Sequence, residues 1–256
     1  MFPDDVLLEI FDFYVNEETG ERFHHSIKQR IEEWITLAHV CRRWRSVVFQ
    51  SPHRLNLQLT CTPSTPARDT LDIWPPLPII IRVSDVFNVG SILDYTFDDF
   101  DNIIAALGHN NHVCQIDFGC IASSQLEYVT NSAAMYKPFP ELTDLNLTTW
   151  DDDGPVLPDS FLGGTAPRLR SLVLDGIPFP GLPKLLLSAT HLVHLDLFSI
   201  PPSGYIRPEA MATSLSALIS LESLYLHFRC PQPRPALESR RPPPPPLTRQ
   251  KPYRII

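Results

Sequence analysis

The chain has 256 residues, of which 43% are hydrophobic, enough for one or two domains with a buried core. Its net charge of −8 argues against a general nucleic-acid binder, since such proteins are usually basic. Residues 1–15 lack a secretory signal, no apolar run approaches the ~20 residues of a membrane span, and the five cysteines are scattered, which together favour a cytoplasmic or nuclear protein.

The first predicted element is a helix that starts near Pro3. Proline suits the first turn of a helix, and Asp4 and Asp5 place negative charge where the helix dipole favours it. Large apolar residues follow at spacings of three and four, so they are expected to share one face: Leu7, Ile10, Phe11 and Tyr14.

A second apolar pattern follows a polar insert and predicts further short helices. Its members are Trp34, Leu37, Ala38 and Cys41, followed by Val40, Trp44 and Val48. Helices of this size cannot bury so much apolar surface among themselves, so a docking partner is expected.

The segments 3–11 (PDDVLLEIF) and 40–45 (VCRRWR) together resemble the F-box, by which substrate receptors dock on the Skp-type adaptor of cullin–RING ubiquitin ligases. The resemblance covers residues 2–57 and implies a three-helix fold. Two features differ from the family: Phe2 replaces the usual leucine before the proline, and the loop from Asn16 to Glu33 is long. The adaptor-binding residues that the resemblance implies are Pro3, Val6, Leu7, Ile10, Phe11, Leu37, Val40, Cys41 and Trp44.

The middle of the chain begins with a less regular stretch. Residues 58–78 are predicted to be a linker, because 61–78 is rich in Thr, Pro and polar residues. Residues 78–83 (PIIIRV) predict a strand, and residues 98–107 predict a helix with one apolar face. We interpret this strand and helix as the first, atypical unit of a repeat region that spans residues 79–229.

From residue 113 the sequence repeats the pattern L-x-x-L-x-L. The copies begin at Val113, Leu142, Leu169, Leu192 and Leu221, in steps of 29, 27, 23 and 29 residues. These steps fall within the period of about 20–29 residues of leucine-rich repeats, which the pattern resembles. Strands are predicted near 113–119, 142–148, 169–175, 192–198 and 221–227. Positions 4 and 6 of each copy are expected to face the core, whereas positions 3, 5 and 7 line a concave face.

The repeats depart from the family at their ninth position, where Asn or Cys is usual, so irregular turns are expected. The residues found there are Ile121, Trp150, Ile177, Ile200 and Arg229.

The whole chain therefore resembles an F-box protein of the fungal type with divergent C-terminal leucine-rich repeats. The predicted fold class is α+β, with a three-helix F-box at 2–57 and an α/β leucine-rich-repeat solenoid. Residues 230–256 are predicted to be a disordered proline-rich tail. Since related receptors continue with further repeats, a truncated product with an exposed, aggregation-prone terminal repeat is one interpretation.

Residues expected to bind a client protein occupy outward positions of the predicted strands. One aspartate comes from each of four successive strands, and we expect them to recognise a basic segment flanked by apolar groups. The alternative is that these aspartates only keep an exposed sheet soluble. The candidate client-binding residues are Asp117, Asp144, Asn146, Asp175, His194, Asp196, Phe198 and Tyr225.

The sequence contains no motif of a catalytic, phosphate-binding or zinc site, so no catalytic residue, metal or cofactor is expected. The leading interpretation is a non-catalytic substrate receptor of a Skp–cullin–F-box ubiquitin ligase. Its expected partners are a Skp-type adaptor, through it a cullin–RING ligase, and an unidentified protein substrate, but neither nucleic acid nor a membrane. The alternatives are a leucine-rich-repeat interaction module that acts outside a cullin ligase, or a fragment of such a receptor.

Overall fold

The computed structural model describes residues 2–16, 27–52, 54–55, 57–71, 76–84, 96–151 and 154–229. Helices form the N-terminal part, and from residue 59 onward strands alternate with helices or irregular segments. This mixed helix-and-sheet fold agrees broadly with the predicted α+β class. The tail predicted at 230–256 lies outside the described residues.

The N-terminal part consists of α1 (Asp4–Asn16), α2 (Ile27–Val40) and α3 (Arg42–Gln50). Because α2 begins at Ile27, the loop predicted to extend to Glu33 is shorter than expected: its last seven residues are helical. The three helices share a small core with the segment that follows them. Its buried members are Leu7, Leu8, Phe11, Trp34, Leu37, Val47, Val48, Leu55, Leu57 and Leu77.

The rest of the described chain is built on one parallel sheet, whose spatial order follows the sequence. Its strands are β1 (Leu59–Cys61), β2 (Ile79–Ser84), β3 (Val113–Ile121), β4 (Asp144–Thr149), β5 (Ser171–Asp175), β6 (His194–Ile200) and β7 (Ser223–Phe228). Parallel neighbours require a crossover between them. The crossovers contain α4 (Ala67–Thr70), α5 (Phe97–Leu107), α6 (Ser123–Thr130), α7 (Leu182–Ser188), α8 (Pro208–Ser216) and the 3₁₀ turns Ala133–Tyr136, Phe161–Gly164 and Pro202–Gly204.

Strand β1 corrects the prediction of a linker at 58–78. Leu59, Thr60 and Cys61 pair in parallel with Ile79, Ile80 and Ile81, so this segment opens the sheet. Cys61 is buried and joins the main core beside β2. A three-residue strand flanked by threonine and proline leaves almost no periodic signal in the sequence, which is why it was missed.

Strands lie at all five positions where the L-x-x-L-x-L copies predict them, each within two residues of its expected limits. The paired leucines of successive strands lie opposite each other, as in Leu145 with Leu172 and Leu147 with Leu174. These four side chains are almost completely buried. At the ninth position Ile121, Ile177 and Ile200 are buried as well, whereas Trp150 remains 56% exposed.

Candidate functional site

Helix α1 has two apolar faces, and the described residues cover only one of them. Leu7, Leu8 and Phe11 are buried in the helical core. The other face carries four large apolar side chains at spacings that place them together on the helix. They are Val6, Ile10, Phe13 and Tyr14, with exposed fractions of 40%, 47%, 65% and 48%. We call these four residues the exposed apolar face.

The residues predicted to bind the adaptor divide between the core and this surface. Leu7, Phe11 and Leu37 are buried, so the described structure does not present them to a partner. Trp44 is half-buried, and its ring centroid lies 4.8 Å from that of Phe11. The remaining five are exposed: Pro3, Val6, Ile10, Val40 and Cys41.

Three further exposed residues, Phe2, Phe13 and Tyr14, do not belong to the predicted binding set. The helical pattern had placed Tyr14 on one face with Leu7, Ile10 and Phe11. Each helical residue advances by 100°, so Tyr14 and Leu7 differ by only about 20° around the axis. The border between the buried and the exposed face passes between them, and spacing alone cannot locate it.

Polar contacts fix the exposed apolar face relative to α3. The Arg43 Nε donates to Asp4 Oδ1 at 3.1 Å, which ties the start of α1 to α3. Arg45 Nε donates to the carbonyl oxygen of Ala38 at 3.0 Å, and so fixes the junction between α2 and α3. Cys41 caps α3, because its Sγ accepts a hydrogen bond from the Trp44 N–H at 3.4 Å.

The second candidate surface is the open sheet face, which we define as the side of β3 to β7 opposite the buried leucines. Strand register arranges its side chains in rows. One row runs through Asp117, Asn146, Val173, Asp196 and Tyr225. Asp144 and His194 lie in the row before it, whereas Asp175 and Phe198 lie in the row after it. The four predicted aspartates therefore share a face but form no single line.

Asp117 is held within the sheet. Its Oδ2 lies 3.3 Å from Arg82 Nε, and its Oδ1 accepts a hydrogen bond from Asn146 Nδ2 at 2.8 Å. Both charged side chains of this pair are only 21% exposed. The Asp117 charge is thus compensated by a neighbouring strand, and this residue contributes little negative charge to a ligand.

The C-terminal part of the open sheet face keeps its negative charge. Within the described ranges, neither Asp175 nor Asp196 takes part in an ion pair. Asp144 accepts a hydrogen bond of 2.7 Å from the Thr143 hydroxyl, which leaves its charge intact. Gly176 follows Asp175 with φ 72°, a conformation that glycine adopts without strain, so the chain turns directly after that carboxylate.

An aromatic pair lies beside these carboxylates. The rings of Phe198 and Tyr225 stack with centroids 4.4 Å apart and an interplanar angle of 28°. Tyr225 is 48% exposed. Ser199 has a left-handed φ of 48°, and its N–H donates to His227 Nδ1 at 3.2 Å, which fixes the ends of β6 and β7 together.

A shallow groove on the helical side lies between α5 and α6. It is lined by Phe97, Ile104, Ser124, Glu127, Tyr128, Asn131 and Ser132. The Tyr128 hydroxyl donates to Asp101 Oδ1 at 2.8 Å, and this hydrogen bond raises the pKa of Tyr128. The described residues contain no cluster of His, Cys, Asp and Glu suited to a metal ion.

Comparison with known proteins gave no match to a family model, to a curated protein or to a solved structure. In the described part of the chain, none of the helices combines the length and the apolar character needed to cross a bilayer.

Proposed function

We propose that this chain is the substrate-recognition subunit of a Skp–cullin–F-box ubiquitin ligase. In this proposal the three N-terminal helices are an F-box that docks on the adaptor. The strands from β2 to β7 belong to leucine-rich repeats that bind the client protein. The resemblance of segments 3–11 and 40–45 to the F-box supports the first assignment, and the L-x-x-L-x-L copies support the second.

The observation that carries the proposal is the exposed apolar face of α1. A helix in a small isolated unit usually buries one face and presents polar residues on the other. Here Val6, Ile10 and Phe13 stay exposed although a complete core already lies on the opposite side of the helix. Contiguous exposed apolar groups on a soluble protein mark an interaction site, so this helix is shaped to be covered by a second protein.

The proposed mechanism is proximity rather than bond chemistry. The receptor holds a client near the ubiquitin-charged enzyme, so that a client lysine meets the thioester at a high effective concentration. For this role the helical unit must be firmly joined to the repeats. Trp34 Nε1 donates to the Gln58 carbonyl oxygen at 3.1 Å, just before β1, and Leu59 packs against the cores of both parts.

The test is co-purification of the full chain with a Skp-type adaptor. Val6→Asp/Ile10→Asp places two charges on the exposed apolar face without touching the core, and should weaken the complex by at least about 30-fold, as expected for interface anchors worth 2 kcal/mol or more. The matched control is Leu187→Asp/Tyr205→Asp, which charges two exposed apolar residues of the repeat region. This control should bind the adaptor like the wild type.

The outcomes separate the candidate functions. An adaptor complex that also recruits a cullin supports the ligase receptor. An adaptor complex without a cullin favours an interaction module that acts outside a cullin ligase. If folded wild-type protein forms no adaptor complex, or if both double variants bind equally well, the F-box assignment is wrong.

A further inference from the structure

The charges of the sequence are divided unevenly between residues 1–229 and residues 230–256. Of the 21 Lys and Arg residues in the chain, six lie in this segment, but only one of the 29 Asp and Glu residues does. The same segment holds nine of the 27 prolines, five of them consecutive at 242–246. It is therefore a basic, proline-rich segment attached to an acidic fold.

The open sheet face offers the complementary chemistry. Asp175 and Asp196 carry charges that no described side chain neutralises, and Asp144 adds a third. The stacked rings of Phe198 and Tyr225 lie next to them in the same rows of the sheet. Aromatic surfaces are the usual docking sites for proline-rich segments, and they also accept the planar guanidinium group of arginine.

Only a short stretch of chain separates the basic segment from the open sheet face. Strand β7 ends at Phe228, and the basic segment begins two residues later. Adjacent strands are about 4.8 Å apart, so Asp196 on β6 and Asp175 on β5 lie roughly 5 and 10 Å across the sheet from β7. A chain in extended polyproline geometry covers about 3 Å per residue, so a few residues are enough to reach either carboxylate.

We propose that residues 230–256 bind the open sheet face of their own chain. Arginines of the segment pair with Asp175, Asp196 and Asp144, while proline rings pack on Phe198 and Tyr225. Because the segment is tethered, its effective concentration at the face is of millimolar order, so weak individual contacts suffice to keep the face occupied. An external ligand of this face must displace the segment and must share its basic, proline- or arginine-rich character. The inference is independent of adaptor docking.

The experiment measures binding of a fluorescein-labelled synthetic peptide with the sequence of residues 230–256 to full-length protein, by fluorescence anisotropy. The wild-type face is already occupied, so the peptide should bind it weakly. Arg234→Glu/Arg240→Glu/Arg241→Glu releases the tethered segment without altering the described fold, and should increase peptide affinity at least tenfold. High salt should weaken this binding, because the Debye length falls to about 3 Å at 1 M.

Two further pairs of substitutions, each made in the triple arginine variant, show where on the protein the peptide binds. Asp175→Asn/Asp196→Asn should reduce its affinity at least tenfold, and Asp175→Lys/Asp196→Lys should abolish binding. The matched control Glu127→Lys/Glu209→Lys changes the net charge by the same amount as the lysine pair, on exposed positions of α6 and α8. It should leave the affinity within about twofold. Thermal unfolding of each variant confirms that the fold is intact.

Three results would overturn the proposal: equal peptide affinity for the wild type and the arginine variant, no measurable binding to any variant, or an equal loss in the face variant and its control.

A carbodiimide cross-link identifies the occupant directly, since Lys251 is the only lysine of the segment. We expect Lys251 to couple to Asp144, Asp175 or Asp196 within a single chain at high dilution. Coupling only between two chains would assign the face to a second copy and contradict the tethered arrangement.

Discussion

At the scale of single residues, the cysteines show how the fold sets chemical character. Cys61 is buried at the end of β1, and burial raises the pKa of its thiol to about 11. The pKa of Cys114 is also raised, chiefly by burial, and its Sγ donates to the Ile79 carbonyl oxygen at 3.3 Å. Cys41 is exposed. Thiolates are the reactive form, so the two sheet cysteines are kept inert as core residues.

The raised pKa of Cys61 predicts a loss of stability in alkaline solution. The folded state holds this proton up to about pH 11, whereas the unfolded chain releases it near pH 9. The stabilising contribution is therefore complete below pH 9 and is lost as the pH rises from 9 to 11. The pKa difference of about two units between the folded and the unfolded state corresponds to roughly 2–3 kcal/mol of unfolding free energy.

Urea unfolding at a series of pH values checks this prediction, with Cys61→Ala as the reference that lacks the thiol. The alanine variant is expected to be less stable than the wild type at neutral pH, because a buried group is lost. The difference between the two proteins should shrink between pH 9 and 11. A constant difference over that range would show that Cys61 does not titrate as its burial implies.

At the scale of secondary-structure elements, one polar network joins three strands. Arg82 of β2 lies beside Asp117 of β3, and Asn146 of β4 donates to the other oxygen of the same carboxylate. The Arg82–Asp117 pair is mostly buried, so breaking it by removing one partner leaves an uncompensated charge in the sheet. Replacing both partners by uncharged groups removes that penalty.

This network predicts that Asp117→Ala destabilises the fold by about 2–4 kcal/mol, because Arg82 loses its only described carboxylate partner. The double variant Arg82→Met/Asp117→Ala should recover at least about 1 kcal/mol of that loss. Both free energies come from urea unfolding curves. As a control, Glu141→Ala breaks the exposed pair with Arg168 and should change stability by less than about 1 kcal/mol. If the double variant is no more stable than Asp117→Ala, the two side chains are not coupled in this way.

The same network shows what the sequence could and could not predict. The buried apolar residues keep the same spacing within every copy of the pattern, so the strand positions, the inward residues and the outward aspartates could all be predicted. The partner of Asp117 could not, since Arg82 belongs to a strand outside the repeat pattern, and the β2–β3 register shifts between Ile79 and Ile80. On α1 the pattern identified apolar residues, but the division between buried Leu7 and exposed Tyr14 depends on tertiary packing.

At the scale of the whole molecule, the position of a strand in the sheet decides which of its leucines are covered. Leu195 and Leu197 of β6 are at most 1% exposed, because β5 and β7 lie on either side of them. The equivalent residues of β7, Leu224 and Leu226, are 45% and 38% exposed. Strand β7 is the last strand of the described sheet. No described strand pairs with its outer edge, so that edge presents backbone N–H and C=O groups without a strand partner.

Identical substitutions should therefore destabilise the fold far more on β6 than on β7. Leu195→Glu/Leu197→Glu buries two unpaired carboxylates, and a cost of several kcal/mol for each approaches the entire stability of a domain, so this variant should not fold. Leu224→Glu/Leu226→Glu adds the same charges at an open edge, where exposed substitutions usually change stability by less than about 1 kcal/mol. The edge charges should also reduce self-association, because charged residues oppose edge-to-edge pairing of strands.

Urea unfolding and sedimentation velocity over a range of protein concentrations distinguish these effects. The β7 variant should unfold like the wild type and remain monomeric at concentrations where the wild type begins to associate. If it unfolds as readily as the β6 variant, the two β7 leucines are core residues whose cover lies outside the described chain. If it remains folded but associates like the wild type, contacts between molecules form elsewhere, and the exposed apolar face of α1 is then the next surface to charge. The two substitution pairs differ only in the strand that carries them, so the comparison separates the contribution of the neighbouring strand from that of leucine itself.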